Sequence, residues 1–142
     1  MPIVVELPQS VTYQDQADLQ KIYRDAPDWL FAPFRDATHL IETCLEERTL
    51  IAVRFNDRLL GAARLLRKDG AWELSQLCVR STTRRRGLAH RLALDAQEMA
   101  RHAGCELRLF SAAEPPEAQA LAAKIQVPLL PFDVVTTEQG DA

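Results

Sequence analysis

Between Leu77 and Ala89 the chain reads Leu-Cys-Val-Arg-Ser-Thr-Thr-Arg-Arg-Arg-Gly-Leu-Ala. An apolar, strand-like run enters a short polar stretch, and that stretch opens a helical pattern through Arg-x-x-Gly-x-Ala. Free amides at a helix N-terminus carry partial positive charge and point outward, so such a junction can hold a pyrophosphate. A side chain at Gly87 would stand between those amides and the anion, and Ala89 plays the same permissive part more weakly. Arg84, Arg85 and Arg86 add full charges whose forked donors suit phosphate oxygens. Unpaired cations at this end of a helix oppose its dipole, so an anionic ligand is the economical account of them.

Groups that could move a proton are fewer. Glu73, on the strand entering the motif, is the best available base, with ion pairing in a basic sheet as its plainer role. His90 could approach a phosphate or simply be a solvated helix histidine. His39 and His102 have no supporting constellation, and no Ser-His-Asp set is readable. Cys78 sits in an apolar strand, which raises a thiol's pKa and disfavours nucleophilic use. Three widely spaced cysteines, Cys44, Cys78 and Cys105, fit neither a disulfide framework nor a zinc site, so reduced structural thiols are expected.

The elements that must position these residues follow from period and punctuation. Ile3-Val4-Val5 reads as a first strand. Thr12 with Asp15 forms a capping box for a helix ending near Asp25-Ala26-Pro27. A loop or short helix carries Trp29, Phe31 and Phe34. A helix over 38–46 buries Leu40, Ile41, Cys44 and Leu45 at spacings of three and four. The period then changes to two from Leu50 to Asn56-Asp57, a tight-turn pair. A strand over 59–66, the Asp69-Gly70 hairpin signal and a strand over 72–79 complete an antiparallel meander. The helix opened by Arg84 to Gly87 carries Leu88, Leu92, Ala96, Met99 and Ala103 on one face and stops at Gly104. A strand at Leu107-Leu109-Phe110, a helix over 116–124 and a strand over 127–135 follow. The order is β-α-α-β-β-β-α-β-α-β, with room for one more strand, and it predicts an α+β (mixed α/β) domain.

Composition bounds the reading. With 142 residues, 47% hydrophobic and 26% charged, the chain is expected to form one soluble domain over 1–142. Its longest apolar runs are far too short to span a membrane, and the start lacks a basic, apolar leader, so a cytoplasmic location is expected. The net charge of −3 hides a strong asymmetry. Eleven Lys/Arg stand against three Asp/Glu from Arg48 to Arg91, while the remainder is strongly acidic. That distribution suits a local anion site, and the scarcity of aromatics among the cations argues against nucleic-acid stacking.

In strand order and in this signature the chain resembles the GNAT superfamily of N-acetyltransferases, whose pattern is Arg/Gln-x-x-Gly-x-Gly/Ala. The resemblance implies an acyl-CoA-binding fold, a mostly antiparallel sheet flanked by helices, with acetyl-CoA or CoA as cofactor. Leu77, Cys78 and Val79 would line the pantetheine arm. Thr83, Arg84, Arg85, Arg86, Gly87, Leu88, Ala89 and His90 would wrap the pyrophosphate. The gap between the strands over 72–79 and 105–110 would hold the ligand. Members usually offer an acid to the leaving thiolate, often a tyrosine on the helix after the fifth strand. The helix over 116–124 has no Tyr, Ser or Cys, and the only tyrosines are Tyr13 and Tyr23.

Asp18 to Ile22, Ala52 to Leu60 and Thr83 to Gly87 look like the PanZ (PanM) family, across roughly 15–23 and 49–95. Those proteins have the acetyltransferase fold but act as acetyl-CoA-dependent activators of aspartate 1-decarboxylase maturation in pantothenate synthesis. This implies that decarboxylase as partner, with Arg54, Asn56 and Arg84 at the contact. Residues 24–48 look longer than the family's segment, and the part after Gly104 shows little likeness. Regulator of the decarboxylase is the leading reading. An N-acetyltransferase for a small-molecule or protein amine is the second, and a structural or nucleic-acid module the third.

Overall fold

The computed structural model describes residues 3–80 and 87–132. Strand β1 (Ile3–Glu6) precedes helix α1 (Tyr13–Arg24), a 3-10 turn at Asp28–Phe31 and helix α2 (Ala37–Glu47). Strands β2 (Leu50–Phe55), β3 (Arg58–Arg67) and β4 (Ala71–Val79) follow, then helix α3 (Leu88–His102), strand β5 (Glu106–Phe110), helix α4 (Pro116–Ile125) and strand β6 (Leu129–Leu130). This is the mixed α+β architecture that the sequence predicts.

All six strands lie in one sheet in chain order. β1 to β4 are antiparallel neighbours, and β4–β5 and β5–β6 are parallel. A two-residue turn joins β2 to β3, and Lys68, Asp69 and Gly70 join β3 to β4. Asn56 and Asp57 both take positive φ, 51° and 66°, the conformation whose twist matches a hairpin. Parallel pairing requires crossovers, and α3 and α4 supply them.

Each face of the sheet is covered. Ile51 and Val53 of β2 join Leu65, Leu74, Leu92 and Ala96 under α3, whereas the alternate residues Leu50 and Ala52 pack with Leu19, Ile22 and Leu40 under α1 and α2. Burial on both faces explains why β2 is apolar without interruption from Leu50 to Val53. The Thr12 capping box is formed: the Thr12 hydroxyl accepts from the Asp15 amide, and the Asp15 carboxylate accepts from the Thr12 amide. Among the described residues no helix is long and apolar enough to cross a membrane.

Three expectations need correction. α3 begins at Leu88 with Gly87 as its N-cap, and Thr83 to Arg86 lie outside the described residues. Ala103 is the exposed C-cap rather than a core residue, and Ala93 and Ala100 complete the buried stripe. The strand expected over 127–135 shrinks to Leu129–Leu130 within the described residues. Pro128 and Pro131 flank it, and neither can donate to a ladder. Residues 133–135 of that expectation are not described.

Candidate functional site

The site is built by a fault in β4. β4 and β5 pair from Ala71↔Glu106 to Ser75↔Phe110, and beyond Ser75 the two strands part. At the parting, Gln76 takes φ 51°, a left-handed conformation that non-glycine residues adopt at a cost. On β3, Arg64 faces Ser75 and Ala62 faces Cys78, so two steps along β3 match three along β4. That is a β-bulge, and it reverses the alternation of the strand. Leu74, Leu77 and Val79 all pack on the α3 face, while Cys78 packs under α1.

The bulge is held from the α1 side. Tyr23, 2% exposed, donates its hydroxyl to the Gln76 carbonyl at 2.7 Å. The Gln76 side chain donates from Nε2 to the Ala32 carbonyl at 2.6 Å, and its Oε1 accepts from Ser75 Oγ at 2.6 Å. Cys78 Sγ donates to the Ile22 carbonyl at 3.3 Å. Ser75 and Gln76 are each 3% exposed, so these bonds replace water that neither group can reach. Burial pushes the Tyr23 hydroxyl well above its ordinary range, which keeps it a neutral donor.

The parted strands enclose a cleft of about 630 Å³, within the size range of small-molecule sites. Leu77, Cys78, Val79, Gly87, Leu88, Ala89 and His90 all line it, so seven of the residues singled out in the sequence lie around one cavity. The other four in that set, Thr83, Arg84, Arg85 and Arg86, are not among the described residues. Gly87 has φ 74°, and a Cβ built on it meets nothing within 4 Å. Its glycine identity therefore answers first to backbone conformation, with open space in front of the helix start. Gly87, the N-cap of α3, has no side chain with which to bond the leading amides of the helix.

Glu73 is elsewhere. It lies on the paired part of β4, opposite Leu66 and Arg108, forms an ion pair with Lys68 at 3.2 Å and is not part of the cleft lining. Among the described residues, the carboxylate that does line the cleft is Glu117, in the first turn of α4.

Arg54 has a role inside the chain. Its guanidinium has five N–H donors, and all five are engaged within the chain. Nε and Nη2 reach Glu6 at 3.2 and 2.8 Å, Nη1 and Nη2 reach Asp15 at 3.0 and 3.2 Å, and Nη1 reaches the Asp57 carbonyl at 3.2 Å. The Arg54 hydrogen bonds hold the Asp15 carboxyl below its ordinary range against the opposing effect of burial. Beside it, burial pushes Asp18 upward, but bonds from Arg58, Gln14 and the Leu59 amide outweigh that and leave it lowered. Arg54 thus clamps β1 and α1 to the hairpin, whereas Asn56 at the hairpin tip is exposed.

Sequence reasoning missed Tyr23, Ser75 and Gln76 as the fixtures of the bulge, and Trp29 and Leu30 as one wall of the cleft. A signal for the bulge was present. Leu74 and Leu77 are three apart in a strand whose period should be two.

Comparison with known proteins now decides the family. The chain matches the model of the PanZ acetyltransferase (GNAT) domain over residues 2–126. It belongs to the PanZ family of GNAT domains. The match runs through residues 24–48 and past Gly104 to 126, the stretches where the likeness to PanZ was weakest to the eye. No curated protein matches the chain by sequence. Among solved structures it is similar to the PaiA N-acetyltransferase of Thermoplasma acidophilum in complex with coenzyme A, at 17% identity and TM-score 0.65, covering 87% of this chain and 88% of that one. It is similar to a chain of the NatC complex bound to Gag peptide and CoA, at 18% identity and TM-score 0.66, covering 88% and 84%. It also matches N-acetylglutamate synthase from Neisseria gonorrhoeae, at 16% identity and TM-score 0.64, covering 87% of this chain but 28% of that one. These likenesses establish the GNAT fold of the PanZ domain.

Proposed function

We propose that the protein binds acetyl-CoA in the β4–β5 cleft and acts as an acetyl-CoA-dependent regulator of aspartate 1-decarboxylase maturation. Membership of the PanZ family supports the partner. The single observation that carries the ligand is the cleft itself, which joins the start of α3 to an apolar slot where β4 and β5 have parted. The fit is good at both ends. The first amides of α3 would hold a pyrophosphate, and past Ser75 β4 no longer pairs with β5, so a ligand can run between the two strands. His90 stands at the phosphate end, and Leu77 and Val79 would flank the pantetheine.

Transfer chemistry is poorly provided for by comparison. Tyr23 spends its hydroxyl on the Gln76 carbonyl, and Glu73 on Lys68. Glu117 in the cleft lining is the observation that favours the second reading, an N-acetyltransferase using that carboxylate as base. One experiment separates the two. Purified decarboxylase precursor is mixed with the protein with and without acetyl-CoA, and chain cleavage and complex formation are followed beside acetylation of a panel of amines. Acetyl-CoA-dependent cleavage supports the regulator. No complex under any condition, with brisk amine acetylation sensitive to Glu117→Gln, establishes the enzyme.

A further inference from the structure

The wall of the cleft opposite α4 is formed by the α1–α2 connection, through Pro27, Trp29 and Leu30. This wall is not a free loop. Gln76, at the bulge, grips it through the Ala32 carbonyl at 2.6 Å, and Gln76 is in turn fixed by Ser75 and Tyr23. Phe31, between the wall and the anchor, is buried against Tyr23 with ring centroids 6.0 Å apart. The connection and the strand therefore form one rigid jaw.

Position along the strand says what the jaw meets. The helix start that suits an anion follows the C-terminal end of β4, while the cleft closes at the Ser75↔Phe110 pair. Across the bulge Ser75 and Val79 lie opposite Arg64 and Gly61 of β3, a separation of about 10 Å. A ligand anchored by phosphate at Gly87 and running along β4 brings its far end to the closed part, next to Gln76. The closed part is apolar, with Leu74, Leu109 and Phe110 as floor and Trp29 and Leu30 as cap.

Resting on the reading that an acyl-CoA occupies the cleft, we infer that the 27–30 segment is an acyl-recognition cap, selecting thioesters with an apolar acyl group and rejecting charged ones. Trp29 and Leu30 contact the acyl group, and Gln76 is the positioning residue that sets the distance between cap and strand. An apolar acyl group gains burial with each added carbon, about three- to fourfold in affinity per fully buried methylene. A terminal carboxylate would lose its water against Leu74, Leu109 and Phe110, and the cation of the described lining, Lys124, belongs to α4 and not to the cap.

The test is a calorimetric series on the full chain with CoA, acetyl-, propionyl-, butyryl- and succinyl-CoA. Affinity should rise from CoA through butyryl-CoA by about threefold per step, and succinyl-CoA should bind at least about tenfold more weakly than butyryl-CoA. Trp29→Ala should flatten the series, and Trp29→Phe should restore the slope. Trp29 is only half-buried, so its loss leaves the core intact. Gln76→Ala should flatten the series likewise, because the cap loses its tether. Succinyl-CoA binding as tightly as butyryl-CoA, or a slope that survives Trp29→Ala, overturns the cap. If not even CoA binds, the acyl-CoA reading falls and the cap with it, whereas CoA binding with a flat wild-type series sinks the cap alone.

Discussion

Replacing Arg54 by methionine removes five guanidinium donors while keeping most of the aliphatic stem. What remains around Asp15, 4% exposed, is the Thr12 amide at 3.3 Å and the Gln14–Asp18 neighbourhood of α1. Removing one partner of a fully buried ion pair costs roughly 3–5 kcal/mol, because the other charge stays desolvated and unpaired. Here the Arg54 and Glu6 side chains are 23% and 31% exposed, and water can relieve part of that penalty. A loss of about 2–4 kcal/mol is expected, or about 1–2 M in the urea midpoint of a protein this size. The pH dependence supplies a second signature. Asp15 has a lowered folded pKa, so its contribution is present above the ordinary carboxylate pKa and is lost as pH falls through the folded value. Arg54 is the largest cause of that lowering, so the gap between wild type and Arg54→Met should be widest near neutral pH and close on acidification. Urea titrations at pH 7 and pH 3 measure both. Equal midpoints at pH 7, or a gap that ignores pH, would refute the clamp and return Arg54 to the role of an accessible contact. Asn56→Gly, by contrast, keeps the positive φ of 51° without strain and should weaken decarboxylase docking without lowering stability by more than about 1 kcal/mol.

Other perturbations test the site and the core. Gly61→Ala places a Cβ 2.8 Å from side-chain methyls of both Val53 and Val79. The overpacking should cost about 1–3 kcal/mol and, by displacing Val79 at the cleft, weaken CoA binding by calorimetry. Gly87→Ala should cost about 1–2 kcal/mol from backbone conformation alone, and Gly87→Asn, which tolerates positive φ, should recover most of it in the same urea assay. Under native conditions a maleimide should label Cys105, which is partly exposed, and reach Cys44 and Cys78 only in denaturant. Burial pushes Cys44 up to about 11 from 9.0, so the folded state holds the thiol proton more tightly. Stability should then decline from pH 9 toward 11, with a shallower decline in Cys44→Ala.

Much of this architecture is legible because local rules and global fold agree. The Thr12–Asp15 box, the Asn56-Asp57 turn and the heptad-like spacing in α2 each specify their element without help from elsewhere. Leu77 to Val79 and Gly87 to His90 were readable for the same reason, since a strand running into a glycine-started helix is a local pattern. What escaped depends on contacts across the sheet. The Gln76 bulge is stabilised by Tyr23 and Ala32, which lie 53 and 44 residues away, and no window of sequence contains both sides. The ion pairs of Glu73 with Lys68 and of Arg54 with Glu6 and Asp15 escaped for a related reason, since each partner lies in another element or across a turn.

The strictly sequential order of the six strands has a consequence for how the chain acquires its structure. Each strand pairs with the one made just before it, so loop closures along the meander from β2 to β4 are short and inexpensive in entropy. β1 and β5 pair across about 50 and 35 residues, so the local closures of the meander favour a nucleus there. β4 then acts as the template for everything after it, because β5 can dock only once β4 and α3 are in place. Folding would therefore proceed outward from the central hairpins. Mutations in β2 and β3 are expected to slow refolding, and those in β6 to act mainly on the unfolding rate.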